Sequence, residues 1–103
     1  MTNKESNLSE TYISSDRAAA WQRESQRRKE SSGAATEMLL DLADLRTGDR
    51  ALEVAAGTGD QALMISQRVG SSGQVVAVDI SASMLSHAAT AAREAGLAVR
   101  MQI

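Results

Sequence analysis

Two short apolar runs, each followed by a segment with helical periodicity, limit this chain to a small set of folds. Residues 51–55 and residues 75–78 both have strand length, and the second run is apolar without interruption. A continuous apolar strand is typical of a parallel sheet whose two faces are both covered. Strands that alternate with helices connect by right-handed crossovers. The sequence therefore predicts an α/β fold, with a parallel sheet and helices on both faces.

The segments around these runs predict four helices and a third strand. The helix after the first run carries a shared face made of Ala62, Ile65, Ser66 and Val69. Ser81 is a good N-cap for the next helix, whose apolar stripe consists of Leu85, Ala88, Ala92 and Ala95. The alternation of Val99, Met101 and Ile103 with polar residues begins a third strand.

The N-terminal third is harder to interpret. Residues 1–15 form a polar arm, and a helix capped by Asp16 runs to residue 30, where Ser31-Ser32-Gly33 ends it. This divides the chain into residues 1–33, an arm and a helix, and residues 34–103, part of a domain. The basic residues of this helix have two interpretations, a binding patch and a solvated face with a Glu24–Arg28 pair, and the second is favoured. A second helix presents the apolar residues Ala35, Met38, Leu39, Leu42 and Leu45.

Composition narrows the function classes. The chain has 103 residues, enough for one small domain, and its net charge of −2 gives no sign of nucleic acid or an anionic membrane as partner. It has no cysteine, and no cluster has the spacing of metal ligands, so no metal is expected. We expect neither a signal peptide nor a membrane-spanning segment, because the first 15 residues are polar and no later run is long and apolar enough. A cytoplasmic location is the default expectation.

Gly57-Thr58-Gly59-Asp60 forms a tight glycine turn between the first strand and the helix that follows. The glycines let the backbone approach a ligand closely, and the helix N-terminus offers free N–H groups to an anion. Asp79 lies at the tip of the second strand, 22 residues after Gly57. A carboxylate at roughly 20 residues from such a turn meets the ribose hydroxyls of a nucleoside cofactor. This pattern fits both NAD and S-adenosylmethionine.

Glu53 separates these two ligands by charge. It lies near the carboxyl end of the first strand, four residues before the first glycine of the turn. At an effective dielectric constant of about 20, a pyrophosphate about 7 Å from this carboxylate would be repelled by roughly 2 kcal/mol. An ammonium or sulfonium group at the same place would be attracted by a comparable amount. S-adenosylmethionine carries both cations, so the charge balance favours it over NAD.

Two stretches resemble the motifs of class I S-adenosylmethionine-dependent methyltransferases. Residues 52–60 are similar to the first motif, and residues 75–81, continuing to Met84, are similar to the second. The resemblance covers about residues 34–103 and is greatest to the branch near the ubiquinone/menaquinone C-methyltransferases. It implies a Rossmann-like fold, of which the chain holds the first three strands, and S-adenosylmethionine as cofactor.

By this resemblance, Glu53 and the turn would hold the methionine moiety and Asp79 the ribose hydroxyls, while Ile80 and Met84 would line the adenine. Ala55 stands where the family often has glycine. The resemblance identifies no catalytic residue in this chain. The role of Trp21 stays open between covering the ligand site and packing the first helix onto the domain. The implied cofactor-binding residues are Glu53, Ala55, Ala56, Gly57, Thr58, Gly59, Asp79, Ile80 and Met84.

We expect the chain to be the N-terminal part of a larger enzyme, or to be completed by a partner. The first strand of a doubly wound sheet is central, yet no fourth strand follows here to pair with it, and an open edge invites another chain or a homo-oligomer. The predicted function is methyl transfer to a small-molecule acceptor. An NAD-binding oxidoreductase domain and a non-catalytic, methyltransferase-like binding module are the alternatives.

Overall fold

A computed structural model of the chain describes residues 15–102, which form four helices and three strands. The first 14 residues of the predicted arm and Ile103 lie outside the described residues. In chain order the elements are α1 (Ser15–Arg23), α2 (Ser25–Leu42), β1 (Arg50–Val54), α3 (Asp60–Val69), β2 (Gln74–Val78), α4 (Ala82–Glu94) and β3 (Arg100–Gln102).

The three strands form one parallel sheet in the order β1-β2-β3. Both crossovers step in the same direction across the sheet, so right-handed connections place α3 and α4 on the same face. On this face Val75 and Ala77 are buried in a core that includes Ile65 and Leu85. The predicted α/β fold with alternating strands and helices is confirmed.

The opposite face of the sheet is uncovered within residues 15–102. Leu52 lies beside Val76 in the register, and Val54 beside Val78. The side chains of Leu52 and Val54 are 65% and 71% exposed. The predicted helices on both faces are therefore not observed in this part of the chain, because its two crossovers run the same way. Here β1 pairs with β2 alone, which leaves the predicted open edge.

The predicted buried faces of α3 and α4 are confirmed. All four residues of the α3 face are buried, and three of the four in the α4 stripe. The exception is Ala95, which is exposed because it is the C-cap of the helix. Ser81 is the N-cap, and its Oγ accepts a hydrogen bond from the backbone N–H of Met84 at 3.1 Å. Periodicity located these faces because both helices bury one side against the sheet.

The predicted end of the first helix at Ser31-Ser32-Gly33 is wrong. The helix is interrupted only at Glu24, between α1 and α2, where the backbone stays helical, and α2 continues through all three residues. The two serines are accommodated because each Oγ donates a hydrogen bond to the carbonyl of Arg28, at 3.3 and 2.8 Å. A single glycine inside a helix costs only about 1 kcal/mol relative to alanine. The division of the chain at residue 33 stays a prediction.

The predicted apolar face of α2 is also wrong. Met38, Leu39 and Leu42 are 64%, 53% and 80% exposed, whereas Leu40 is buried. The side of α2 that faces α3 carries two carboxylates, Glu37 and Asp41, which both pair with Arg68 of α3. The observed rotation of the helix buries Leu40 and brings these two carboxylates to Arg68.

Gly59 and Gly33 give a matched pair of stability tests. Gly59 has φ +87°, and a Cβ there would lie 2.7 Å from the Cβ of Ala88, whereas a Cβ on Gly33 would meet nothing within 4 Å. We expect Gly59→Ala to lower the free energy of unfolding by about 2–4 kcal/mol. Gly33→Ala should raise it by about 0.5–1 kcal/mol, because the unfolded chain loses freedom. Urea unfolding followed by circular dichroism measures both, and equal effects would contradict the close contact between α3 and α4.

Candidate functional site

A cavity of about 660 Å³ opens at the carboxyl ends of β1 and β2. The strand ends and the glycine turn line one side of it, and α1 and α2 line the other. Its volume is in the range of sites that bind small organic ligands. Eight of the nine predicted site residues line this cavity, namely Glu53, Ala55, Ala56, Gly57, Thr58, Asp79, Ile80 and Met84.

Gly59 is the predicted site residue that does not line the cavity. It is buried at the N-cap of α3, where the space for a side chain is already filled by Ala88. Glycine is required there because of its left-handed backbone and because α3 and α4 approach closely. Gly59 therefore affects the shape of the turn without contacting the cavity.

The glycine turn is held by the end of β2. The backbone N–H of Ala56 donates to the carbonyl of Val78 at 3.0 Å, which carries the parallel pairing one step past β1. Gly57 has φ +59° and Ala55 has φ +60°. An alanine with this backbone costs about 1–2 kcal/mol more than a glycine. The departure from the family pattern at Ala55 thus falls where the backbone geometry favours glycine.

Asp79 joins the glycine turn to the start of α4. Its Oδ2 accepts a hydrogen bond from the backbone N–H of Gly57 at 2.9 Å, and its Oδ1 accepts one from that of Ser81 at 2.9 Å. An ionised carboxylate can accept about four hydrogen bonds, so capacity remains for a ligand. The structure brings Asp79 into the cavity as predicted, and adds a tie that the sequence did not reveal.

Glu53 places an uncompensated carboxylate in the same cavity. Its Oε2 is buried and has no hydrogen-bond partner in the described part of the chain. Burial, and secondarily the nearby charge of Asp60, raise the pKa of Glu53 to about 7. A buried anion without a partner is costly, and a cation in the cavity would remove that cost.

Arg28 is the residue of the site that sequence reasoning missed. Its predicted partner Glu24 pairs instead with Arg27 at 3.6 Å. Arg28 reaches across to α3, where its Nη2 lies 2.8 Å from Oδ2 of Asp60. An exposed pair along one helix contributes only about 0.2–0.5 kcal/mol, less than a partly buried, charge-assisted bond. One signal was available, because Arg28 follows Trp21 by seven residues and so lies on the same side of a helix.

Trp21 lines the cavity beside this arginine. The guanidinium carbon of Arg28 lies 4.2 Å from the centre of the indole ring. The indole Nε1 lies 3.8 Å from the point that a Cβ on Gly57 would occupy. Of the two predicted roles of Trp21, this geometry favours covering the site. The packing of α1 depends on Ala18, which is completely buried.

The described residues contain neither a metal site nor a membrane-spanning helix. Among residues 15–102, no group of three or more His, Cys, Asp or Glu side chains is placed to hold a metal ion. None of the helices in this range is long and apolar enough to cross a membrane.

Comparison with known proteins gives consistent matches. The sequence model of the ubiE/COQ5 methyltransferase family matches residues 33–103. The ubiquinone/menaquinone biosynthesis C-methyltransferase UbiE of Pseudomonas fluorescens (strain SBW25) is 52% identical over 46 residues, which cover 45% of this chain and 18% of that protein. Its counterpart in Xylella fastidiosa (strain M12) is 42% identical over 60 residues, covering 58% of this chain and 24% of that protein.

The fold also matches a solved structure. A SAM-dependent methyltransferase from Aquifex aeolicus superposes with a TM-score of 0.58 and 28% identity, over 66% of this chain and 36% of that one. The match supports the Rossmann-like arrangement of the described strands and helices. The matched stretches cover 18% and 24% of the length of these two UbiE relatives, so the comparison spans only a small part of each.

The raised pKa of Glu53 predicts how stability depends on pH. The folded chain holds this proton more tightly than the unfolded chain, so the free energy of unfolding falls as pH rises from about 4.5 to about 7. Glu53→Gln removes this loss, and its advantage over the wild type should grow across that window and then level off. Urea unfolding from about pH 5 to about pH 8 measures the difference. Glu94→Gln, the same change at an exposed position, is the matched control, and a constant difference for Glu53→Gln would contradict the prediction.

Proposed function

Since the chain belongs to the ubiE/COQ5 methyltransferase family, we propose that it binds S-adenosylmethionine in the cavity at the strand ends. It would carry the cofactor-binding part of an enzyme that transfers a methyl group to a small-molecule acceptor. The family match, and the likeness to a SAM-dependent methyltransferase at 28% identity, support this proposal.

The unpartnered carboxylate oxygen of Glu53 is the observation that carries the proposal. It is buried against the cavity, within the influence of a second acidic side chain, Asp60. An ammonium or sulfonium group would supply the missing counter-charge. A pyrophosphate would add a third negative group to this corner, which argues against NAD.

The remaining residues suit the other parts of the cofactor. Asp79 has acceptor capacity left for the ribose hydroxyls, and Ile80 and Met84 give apolar surface for the adenine. The glycine turn leaves room for close approach of the methionine moiety. S-adenosylmethionine itself supplies an electrophilic methyl group. The chain's own residues bind and orient the cofactor and exclude water from it, which is most of what this chemistry asks of a protein.

Several finer points belong to the proposal. We propose a cytoplasmic enzyme that acts on neither nucleic acid nor membranes, in keeping with its net charge of −2. The free edge of β1 and the exposed side chains of Leu52 and Val54 would be covered by a further segment, a partner or a second copy. The catalytic base and the acceptor would be provided outside the cavity described here.

Calorimetric titration separates the two cofactor classes. S-adenosylhomocysteine (SAH), which keeps the ammonium group, should bind, and NAD should not. Because the bound cation favours the ionised form of Glu53, affinity for SAH should fall as pH drops below about 7. The fall should approach tenfold for each pH unit, since roughly one proton is taken up. Glu53→Gln should bind SAH more weakly and without this pH dependence. Binding of NAD in place of SAH would overturn the proposal and favour an oxidoreductase domain.

A thermodynamic cycle tests the role of Asp79. Because its carboxylate also ties Gly57 and Ser81, a simple loss of affinity in Asp79→Ala would mix two effects. We therefore compare SAH with an analogue that lacks the ribose hydroxyls. The wild type should prefer SAH by about tenfold or more, and Asp79→Ala should lose most of that preference. An equal preference in both proteins would remove Asp79 from the ribose site. A methyl-transfer assay with candidate acceptors then separates an enzyme from a non-catalytic binding module.

A further inference from the structure

We propose that Arg28 is a positioning residue that holds the indole of Trp21 against the glycine turn, so that the ring forms a wall of the site against bound cofactor. The inference rests on the proposed function, because it concerns the same cavity. It assigns a task to two residues of the N-terminal helices, which lie before the stretch matched by the family.

Arg28 links three parts of the molecule at once. Its Nη1 donates a hydrogen bond to the backbone carbonyl of Trp21 at 2.7 Å, near the end of α1. Its Nη2 and Nε reach Oδ2 of Asp60, at 2.8 and 3.3 Å, at the start of α3. Its guanidinium plane lies over the indole ring. One side chain therefore joins α1, α2 and α3 on the cavity side.

The orientation of the Trp21 indole ring depends on these contacts of Arg28. Helical hydrogen bonds continue through Glu24, from its N–H to the carbonyl of Ala20 at 3.3 Å and from the N–H of Arg28 to its carbonyl at 3.0 Å, so the backbone of α1 runs on into α2. The bond from Nη1 of Arg28 to the carbonyl of Trp21 adds a side-chain link between the two helices. The indole is 41% exposed, and so its surroundings bury it only partly. The buried Ala18 seats α1 in the core, so we assign to the guanidinium the orientation of the ring over Gly57, not the position of the helix.

Asp60 is in turn held for this contact. Its Oδ1 accepts a hydrogen bond from Oγ of Ser25 at 2.7 Å, while Oδ2 takes the arginine. The ion pair also places a positive charge beside the acidic corner that contains Glu53. Three explanations of a defect at Arg28 must therefore be separated: the position of the ring, the charge near the cofactor, and the bond from Nη2 of Arg28 to Oγ1 of Thr58 in the turn, at 3.4 Å. Acrylamide quenching of Trp21 reports the first of these.

Lysine distinguishes them. Arg28→Lys keeps the positive charge, but a single ammonium group lacks the planar fork that bonds Asp60, bonds the Trp21 carbonyl and stacks on the ring together. If the position of the ring matters, Arg28→Lys should behave like Arg28→Ala. If only charge matters, it should behave like the wild type. Arg27→Ala is the matched control, because Arg27 is the neighbouring arginine on α2 and its side chain is 83% exposed.

Trp21 is the only tryptophan in the chain, so its fluorescence reports this site alone. We expect Arg28→Ala and Arg28→Lys to raise the quenching of Trp21 by acrylamide in the ligand-free protein, and Arg27→Ala to leave it unchanged. SAH should protect Trp21 from acrylamide in the wild type. In stopped-flow experiments SAH should dissociate about tenfold faster from both Arg28 variants than from Arg27→Ala. Circular dichroism of each variant checks that it is folded.

The outcomes separate this inference from the proposed function. If the wild type does not bind SAH, the proposed function fails. If SAH binds and the Arg28 variants match Arg27→Ala in quenching and in dissociation rate, the inference alone is overturned. Recovery of wild-type behaviour by Arg28→Lys would likewise overturn it in favour of a charge effect.

Discussion

The site depends on two hydrogen bonds that the carboxylate of Asp79 accepts. By accepting hydrogen bonds from Gly57 and from Ser81, it joins the turn after β1 to the helix after β2. Two parallel strands bring these points together, because their carboxyl ends meet at one edge of the sheet. The parallel pairing runs on into the turn through the bond from Ala56 to Val78. If the turn were displaced, the cavity would lose the side that the turn lines, and Gly59 would lose its close packing on α4.

Three carboxylates lie at this site, and the described residues neutralise their negative charge only in part. Asp60 is paired with Arg28, and Asp79 is satisfied by backbone N–H groups. Glu53 keeps a buried oxygen that has no hydrogen-bond partner among residues 15–102. Stability and binding therefore compete at this position, since the carboxylate that weakens the ligand-free fold is also the group that would attract a cation. Such local conflicts are characteristic of functional sites.

Sequence patterns predicted the buried faces well for the helices that pack one face on the sheet. They failed for α2, whose buried side depends on contacts with α3. The faces of α3 and α4 follow from the spacing of Ala62, Ile65, Leu85 and Ala88, because burial of an apolar stripe dominates their energy. The observed rotation of α2 instead buries Leu40 and brings Glu37 and Asp41 to Arg68 of α3. No periodicity within α2 contains that information.

By itself the sequence determined the parallel α/β order, the glycine turn and the placement of Glu53 and Asp79 at adjacent strand ends. These follow from local periodicity and from the short distance along the chain that a crossover spans. Only the tertiary structure decided that Gly59 packs against Ala88, that Arg28 binds Asp60 and stacks on Trp21, and that Glu53 has an unpartnered oxygen. Each of these depends on which distant groups the folded chain brings within a few ångströms. Arg28 and Asp60 are 32 residues apart, and their contact exists only once α2 lies across the end of the sheet.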